Sequence, residues 1–354
     1  MMSLQIQKTT HPKPLPKSSE LGFGKHFTDH MLTIEFERGK GWFNPRIIPY
    51  SDFQLDPAAS VLHYGQSLFE GMKAFRQQDG SVALFRPEFN WDRMSKGADR
   101  LCMECPPKEM FLDGIKTLVK IDERWVPKEK GCALYIRPTI IGTEGFLGVR
   151  PADRYLFFVI LSPVGAYYAE GLNPVKIWVE EQYLRAAPGG LGWTKAAANY
   201  AASLKAAQEA KKKGFSQVLW LDHTRKYIEE VGTMNVFFVF KNEIVTPALD
   251  GTILEGGVRQ TVIEILKAQG RPIVERNLSL EEVQTANSKG ELIEAFGTGT
   301  AAVISPIGEL TSSTWSLKLG NGKIGPLSQK LYDELTGIQY GLRPDTYHWL
   351  AKLM

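Results

Sequence analysis

"GGLGWTKAAANYAASLKAAQEAKKKGF", residues 189–215, places one lysine between a glycine-rich loop and an alanine-rich run. From Ala196 to Lys213 the composition favours a helix. Its lysines 205, 211, 212 and 213 suit a solvated face. Lys195 differs, with Trp193 just before it and Ala196, Ala197, Ala198 and Tyr200 just after. Outward from this stretch, "VKIWVEEQY" (175–183) reads as a strand before the helix, and "QVLWLD" (217–222) follows it.

Further strands are read at "MLTIEFERGKGWF" (31–43, then turning at Gly39 and Gly41), "VALFRP" (82–87), "CALYIRPTIIG" (132–142) and "RYLFFVILSPV" (154–164). "PEFNWDRMSKGADRLCM" (87–103) and "KEMFLDGIKTLVKIDERWV" (108–126) carry helical spacing. Beyond 222 come "KYIEEVGTMNVFFVFKNEIVTPAL", a helix over about 257–269, "PIVERNL", a short helix near 280–287, and "ELIEAFGTGTAAVISPIGEL" as strand, turn, strand. Strands often follow one another directly, which predicts α+β architecture and not a doubly wound parallel sheet. Pro12, Pro14 and Pro16 predict an extended arm over residues 1–20 with no regular element. "GAYYAEGLNP" (165–174) reads as a connection, giving a small domain with the arm over 1–167, a loop over 168–174 and a large domain over 175–354 carrying Lys195.

A net charge of +3 over 354 residues offers no electrostatic case for nucleic acid or an anionic membrane. The longest apolar run, "YLFFVILSPV", is too short to span a bilayer. The first twenty residues lack an apolar leader core, so a cytoplasmic protein is expected. Three cysteines argue against a disulfide framework, and Cys102 and Cys105 in "CMEC" read as thiols at a helix end. The six histidines lack metal-ligand spacing, so no metal is expected.

Four features could make one site. A lysine opening a helix in apolar surroundings has its charged form disfavoured, which frees the amine as a nucleophile. In "YIEEVGTMN" (227–235), strand alternation turns either Glu229 or Glu230 inward, and a buried carboxylate needs a cationic or proton-bearing partner. A protonated pyridine nitrogen would serve, and so would an arginine. Gly256 and Gly257 in "TILEGGVRQT" (252–261) open a helix whose free N–H groups suit a phosphate, and "FGTGTAA" (296–302) could form an oxyanion nest. Arg86, Arg93 and Arg137 stand in apolar contexts, where guanidinium suits phosphate or carboxylate. Tyr64, Phe69 and Tyr135 could line an apolar pocket or simply be core.

"LHYGQSLFEGMKAF", "LFRPEFNWDRM", "LYIRPTIIG", "SPVGAYY", "TKAAANY", "EEVGTMN" and "FGTGTAA" together resemble, in order and spacing, the branched-chain amino-acid aminotransferases. These are pyridoxal-phosphate enzymes of fold type IV, with a D-amino-acid aminotransferase-like fold of two domains and the active site between them. The likeness runs from about residue 20 to about 342, and "FGKHFTDHMLTIEF" and "GIQYG" resemble the longer subclass. It implies a pyridoxal 5'-phosphate cofactor, transamination of L-leucine, L-isoleucine or L-valine with 2-oxoglutarate, and a homodimer acting on small amino and 2-oxo acids.

The resemblance also assigns roles. It makes Lys195 the Schiff-base lysine, Tyr200 the partner of the cofactor's phenolic oxygen, and Glu230, not Glu229, the partner of the pyridine nitrogen. It gives the phosphate to Arg93, Gly257, Val258 and Thr300. Thr300 and Ala301 would receive the substrate carboxylate, with Phe23, Tyr64, Phe69 and Tyr135 around the side chain and Arg137 beside them. The chain departs from the family at Ala197 and Ala198, where paired glycines are usual, and at Glu255 and Val258, where proline and threonine are usual. "AVIS" after Ala301 replaces the cysteine pair of some relatives. A D-amino-acid aminotransferase or aminodeoxychorismate lyase would keep the lysine and glutamate, but "FTDHM" and "GTGTAA" favour the branched-chain type.

Overall fold

The computed structural model describes residues 3–165 and 172–353. Residues 168–171 of the expected interdomain loop lie outside them. The described residues group into two compact units. One comprises residues 3–165, Thr194–Ala198 and 337–353, and the other comprises 172–193 and Asn199–Thr336. Sequence reading gave Lys195 to the second part of the chain, whereas its contacts group it with the first. Leu68 bridges Ala196, and the Phe69 N–H donates to the Lys195 carbonyl at 3.2 Å.

The first unit is built on strands β1 (Gln5–Ile6), β2 (His30–Glu37), β3 (Gly41–Pro49), β4 (Ser67–Phe69), β5 (Met72–Arg76), β6 (Val82–Phe85), β7 (Ala133–Gly142) and β8 (Arg154–Val164). They pair in the order β1-β3-β2-β8-β7-β5-β6, with β4 also on β7, and the strand Leu350–Lys352 closes the sheet beside β6. The arm is not wholly irregular as its prolines suggested. Gln5 and Ile6 lie ahead of Pro12 and pair in parallel with Arg46 and Ile47 of β3, and Ser18–Glu20 forms a 3-10 turn behind Pro16. A short helix α1 (Ser60–Tyr64) precedes β4.

Helices α2 (Pro87–Arg100) and α3 (Lys108–Ile121) cover this sheet. Proline at the first helical position gives α2 a sharp start, because its missing N–H would be unpaired there anyway. Phe111, Ile115, Leu118 and Val119 of α3 are buried at helical spacing, each worth roughly 1.5–3 kcal/mol. Gly114 lets α3 close on β2, since a Cβ there would stand 2.7 Å from the Leu32 side chain. Cys102 follows Leu101, the C-cap of α2, and all three cysteines are free thiols.

The second unit has β9 (Val175–Val179), β10 (Gln217–Leu221), β11 (Ile228–Val231), β12 (Asn235–Phe240), β13 (Ile244–Thr246), β14 (Ile273–Glu275), β15 (Leu292–Gly299), β16 (Val303–Thr311) and β17 (Ser316–Lys318). The order is β11-β10-β9-β16-β15-β12-β13-β14, with β17 on β16. Three of these pairings are parallel, namely β9 with β10, β9 with β16, and β13 with β14, and the rest are antiparallel. Helix α4 (Ala197–Lys212) buries Ala206 and Ala210 against Val218 and Trp220, while its lysines face water. Helix α5 (Gly257–Ala268) buries Val258, Val262, Ile265 and Leu266, and α6 (Leu280–Ser288) is capped by the Ser279 hydroxyl accepting from the Glu282 N–H. Among the described residues, no helix is long and apolar enough to cross a membrane.

Candidate active site

In the first unit the chemistry gathers where β4 runs into β5. Glu70 is fully buried and accepts hydrogen bonds from Arg93 Nε and Nη2, each at 2.7 Å, and from Asn90 Nδ2 at 2.7 Å. Burial alone would push the Glu70 carboxyl up. The Arg93 charge and hydrogen bonds, with help from Lys195 and Asn90, outweigh it and hold the group below the usual carboxylate range. Sequence reading singled out Arg93 but passed over Glu70. The signal available was an acid in an otherwise apolar run, "SLFEGMKAF".

Lys195 stands two residues ahead of α4 and is half-buried, with Nζ 4.9 Å from the centre of the Phe69 ring. The Arg137 guanidinium lies 4.5 Å from the same ring and 5.2 Å from that of Tyr135, and Arg137 Nη2 donates to the Tyr135 hydroxyl at 3.1 Å. Phe23 meets Tyr135 edge to face at 5.0 Å. Glycine at 71 leaves room for that tyrosine, since a Cβ there would overlap the Tyr135 hydroxyl. The fold therefore brings Phe23, Phe69, Tyr135, Arg137 and Lys195 together. Tyr64 sits elsewhere on the same unit, exposed on α1, where its hydroxyl donates to the Leu147 carbonyl. Arg86 lies over Phe89 and Trp349 at the start of α2.

In the second unit both acids of "YIEEVGTMN" are buried, although alternation was expected to bury only one. Thr252 and Leu254, from one loop, reach both side chains, so neither faces water. Glu230 Oε1 accepts the Leu254 N–H at 2.7 Å and lies 3.4 Å from Arg185 Nη2. The arginine partner that sequence reading left open is thus present. Desolvation is the main cause pushing the Glu229 carboxyl up to about 7, with Thr252 and Arg185 opposing it.

The loop that meets Glu230 runs straight into α5. Asn235 Nδ2 donates to the Leu254 carbonyl at 2.8 Å, and a Cβ on Gly256 would overlap Asn235 Oδ1. Gly256 is the N-cap of α5 and supplies no side-chain cap, so the N–H groups of Gly257 and Val258 stand at a helix start suited to an anion. Thr300 and Ala301 form the turn between β15 and β16, which closes with Val303 at a positive φ of 63°. Tyr200 is half-buried in the first turn of α4. Asn235 and Arg185 were not singled out from sequence, though Asn235 ends the "EEVGTMN" motif.

The amino-transferase class IV family pattern matches residues 67–310, more than half of the chain. The chain belongs to the class IV aminotransferases. Branched-chain-amino-acid aminotransferase 2 of Bacillus subtilis (strain 168) is 51% identical over 352 residues, covering 99% of this chain and 97% of that protein. The Mycolicibacterium smegmatis branched-chain-amino-acid aminotransferase is 44% identical over 94% of this chain and 92% of its own length. Among solved structures, the Escherichia coli branched-chain enzyme aligns over 92% of this chain and 99% of its own, with a TM-score of 0.77 and 25% identity. The branched-chain enzyme of T.th., solved with pyridoxamine 5'-phosphate, aligns with a TM-score of 0.74 and 26% identity, over 91% of this chain and 98% of its own. This class IV aminotransferase accordingly has the fold type IV architecture and transaminates branched-chain amino acids with a pyridoxal phosphate cofactor.

Proposed function

We propose that the enzyme moves the amino group of L-leucine, L-isoleucine or L-valine to 2-oxoglutarate, with Lys195 as the group that holds the cofactor and carries the α-proton. The arrangement of Glu230, Leu254 and Gly256 carries this reading. One hydrogen bond ties a buried carboxylate to the loop that opens an uncapped helix, which suits a ligand bearing both a ring nitrogen and a phosphate. Bound pyridoxal phosphate supplies an electron sink for the substrate α-carbon. Glu230 would keep its ring nitrogen protonated, and Tyr200 would address its phenolic oxygen. Arg93, Gly257, Val258 and Thr300 would hold its phosphate.

Phe23, Phe69 and Tyr135 give an aliphatic side chain an apolar bed, and Arg137 can receive a second carboxylate when the substrate is acidic. Thr300 and Ala301 would offer N–H groups to the α-carboxylate. A homodimer in the cytoplasm completes the reading. Leu62, Tyr64, Phe146, Leu147 and Val149 are exposed apolar side chains on α1 and the 144–150 loop, which the Phe146 N–H joins to Ala58. Tyr64 would then serve from that surface.

The test is a half-reaction without acceptor. L-leucine alone is expected to convert the visible spectrum of the bound cofactor to that of its amine form, and D-alanine is not. Conversion by D-alanine only would keep the cofactor and overturn the substrate. A solution mass equal to one chain would remove the dimer.

A further inference from the structure

Arg185 lies ten residues ahead of Lys195 in the sequence and is enclosed, with only 9% of its side chain exposed. Its Nη2 donates to the carbonyl of Gly192 at 3.1 Å and to that of Thr252, and the same nitrogen stands 3.4 Å from Glu230 Oε1. Its Nε is buried without a hydrogen-bond partner. Leaving a guanidinium this enclosed and only partly satisfied costs free energy, so a purely structural tie would be better made by a neutral donor. What the charge does here is meet a carboxylate. Two carboxylates, Glu229 and Glu230, are buried side by side on β11, where desolvation first, and then the charges of Asp250 and Glu230, disfavour ionising Glu229. Arg185 also works against the upward push on Glu229, but the carboxylate oxygen its Nη2 stands beside is Glu230 Oε1, at 3.4 Å. The Leu254 N–H on the same oxygen fixes the direction of that carboxylate.

We propose that Arg185 is a positioning residue that keeps Glu230 ionised and aimed, and so sets the protonation of the cofactor's ring nitrogen. This rests on the reading that Glu230 pairs with that nitrogen. Arg185 itself acts through Glu230 and touches no reacting atom.

The experiment uses holoenzyme reconstituted with pyridoxal phosphate labelled with nitrogen-15 in the ring. The ring-nitrogen resonance is recorded for wild type, Arg185→Gln, Arg185→Lys, Glu230→Gln and the Arg185→Gln/Glu230→Gln double variant. The L-leucine half-reaction and thermal unfolding are measured on each. Glu230→Gln is expected to move the resonance toward neutral pyridine. Arg185→Gln should move it the same way and slow the half-reaction about tenfold, the effect of one unit in the acidity of the pair. Arg185→Lys should fall between, and the double variant should match Glu230→Gln alone.

A resonance that moves in Glu230→Gln but stays at the wild-type position in Arg185→Gln would overturn the role of Arg185 and leave the Glu230 reading intact. Lower thermal stability with an unmoved resonance is that same outcome. No movement in Glu230→Gln would overturn the Glu230 reading itself, and this proposal with it. If Arg185→Gln does not fold, Arg185→Lys decides, and a wild-type resonance there overturns the proposal.

Discussion

Arg93 grips Glu70 with two parallel prongs, Nε to Oε1 and Nη2 to Oε2, on a carboxylate that no water reaches. A planar guanidinium held this way cannot swing, so whatever anion Arg93 meets, it meets in one orientation. Glu70→Gln should cost about 3–5 kcal/mol in stability, because it leaves a buried arginine without its counter-charge. It should also weaken cofactor retention, read by dialysis against buffer free of pyridoxal phosphate. Folding holds the Glu70 carboxyl below its ordinary 4.5, so its stabilisation is complete above about that pH and is lost as pH falls through the lower folded value. An acid-unfolding midpoint unchanged by Glu70→Gln would remove this role.

Glu229 works with the opposite sign. Its folded carboxyl titrates at about 7 against 4.5 unfolded, so the unfolded chain releases the proton first as pH rises. Stability therefore falls between about pH 4.5 and 7 and is then level. The drop is on the order of 2 kcal/mol once solvent screening is allowed for. Glu229→Gln should flatten that slope, and unfolding in urea at pH 5 and pH 8 measures it. Equal slopes in the two proteins would contradict the assignment.

Lys195→Ala should abolish turnover and leave no cofactor attached after borohydride reduction, as checked by intact-protein mass. The fold should survive, since Lys195 is only half-buried and its charge is one of several acting on Glu70. Near-normal activity in this variant would sink the proposed role.

Gly256→Ala drives a methyl group into Asn235 Oδ1 and disturbs the hydrogen bond from Asn235 to Leu254. About 1–3 kcal/mol of stability should be lost. Pyridoxal phosphate should bind more weakly, as followed by fluorescence titration of the apoenzyme. Gly251→Ala is the control, because its Cβ meets nothing within 4 Å, although its φ of +98° adds local backbone strain. Gly256 has an extended backbone with φ of −80°, so a loss there no larger than at Gly251 would contradict the clash with Asn235.

Much of the fold was legible because its periodic stretches are long. The 87–103 and 108–126 patterns became Pro87–Arg100 and Lys108–Ile121, and the apolar run at 154–164 became an equally long strand. What escaped was short or depended on distant partners. Gln5–Ile6 and Leu350–Lys352 are strands only because β3 and β6 offer free edges, and no local pattern announces them. Lys195, Arg93 and Glu230 were visible as odd residues in apolar surroundings, and family motifs gave them their roles. Glu70 meets Arg93 and Arg185 meets Glu230 from elsewhere in the chain, while Asn235 braces the Leu254 loop, and such pairings are written in three dimensions only.

The first unit draws on residues both before and after those of the second, and its sheet is closed beside β6 by Leu350–Lys352. On the ribosome, β6 emerges long before that partner does. All nine strands from Val175 to Lys318 are translated in between. For most of synthesis the nascent chain thus presents one unpaired sheet edge, open to pairing with a neighbouring nascent chain. Rapid translation of the final stretch, or a chaperone on β6, would shorten that exposure. The yield of native enzyme should consequently respond to how fast the codons from Lys318 to Lys352 are read.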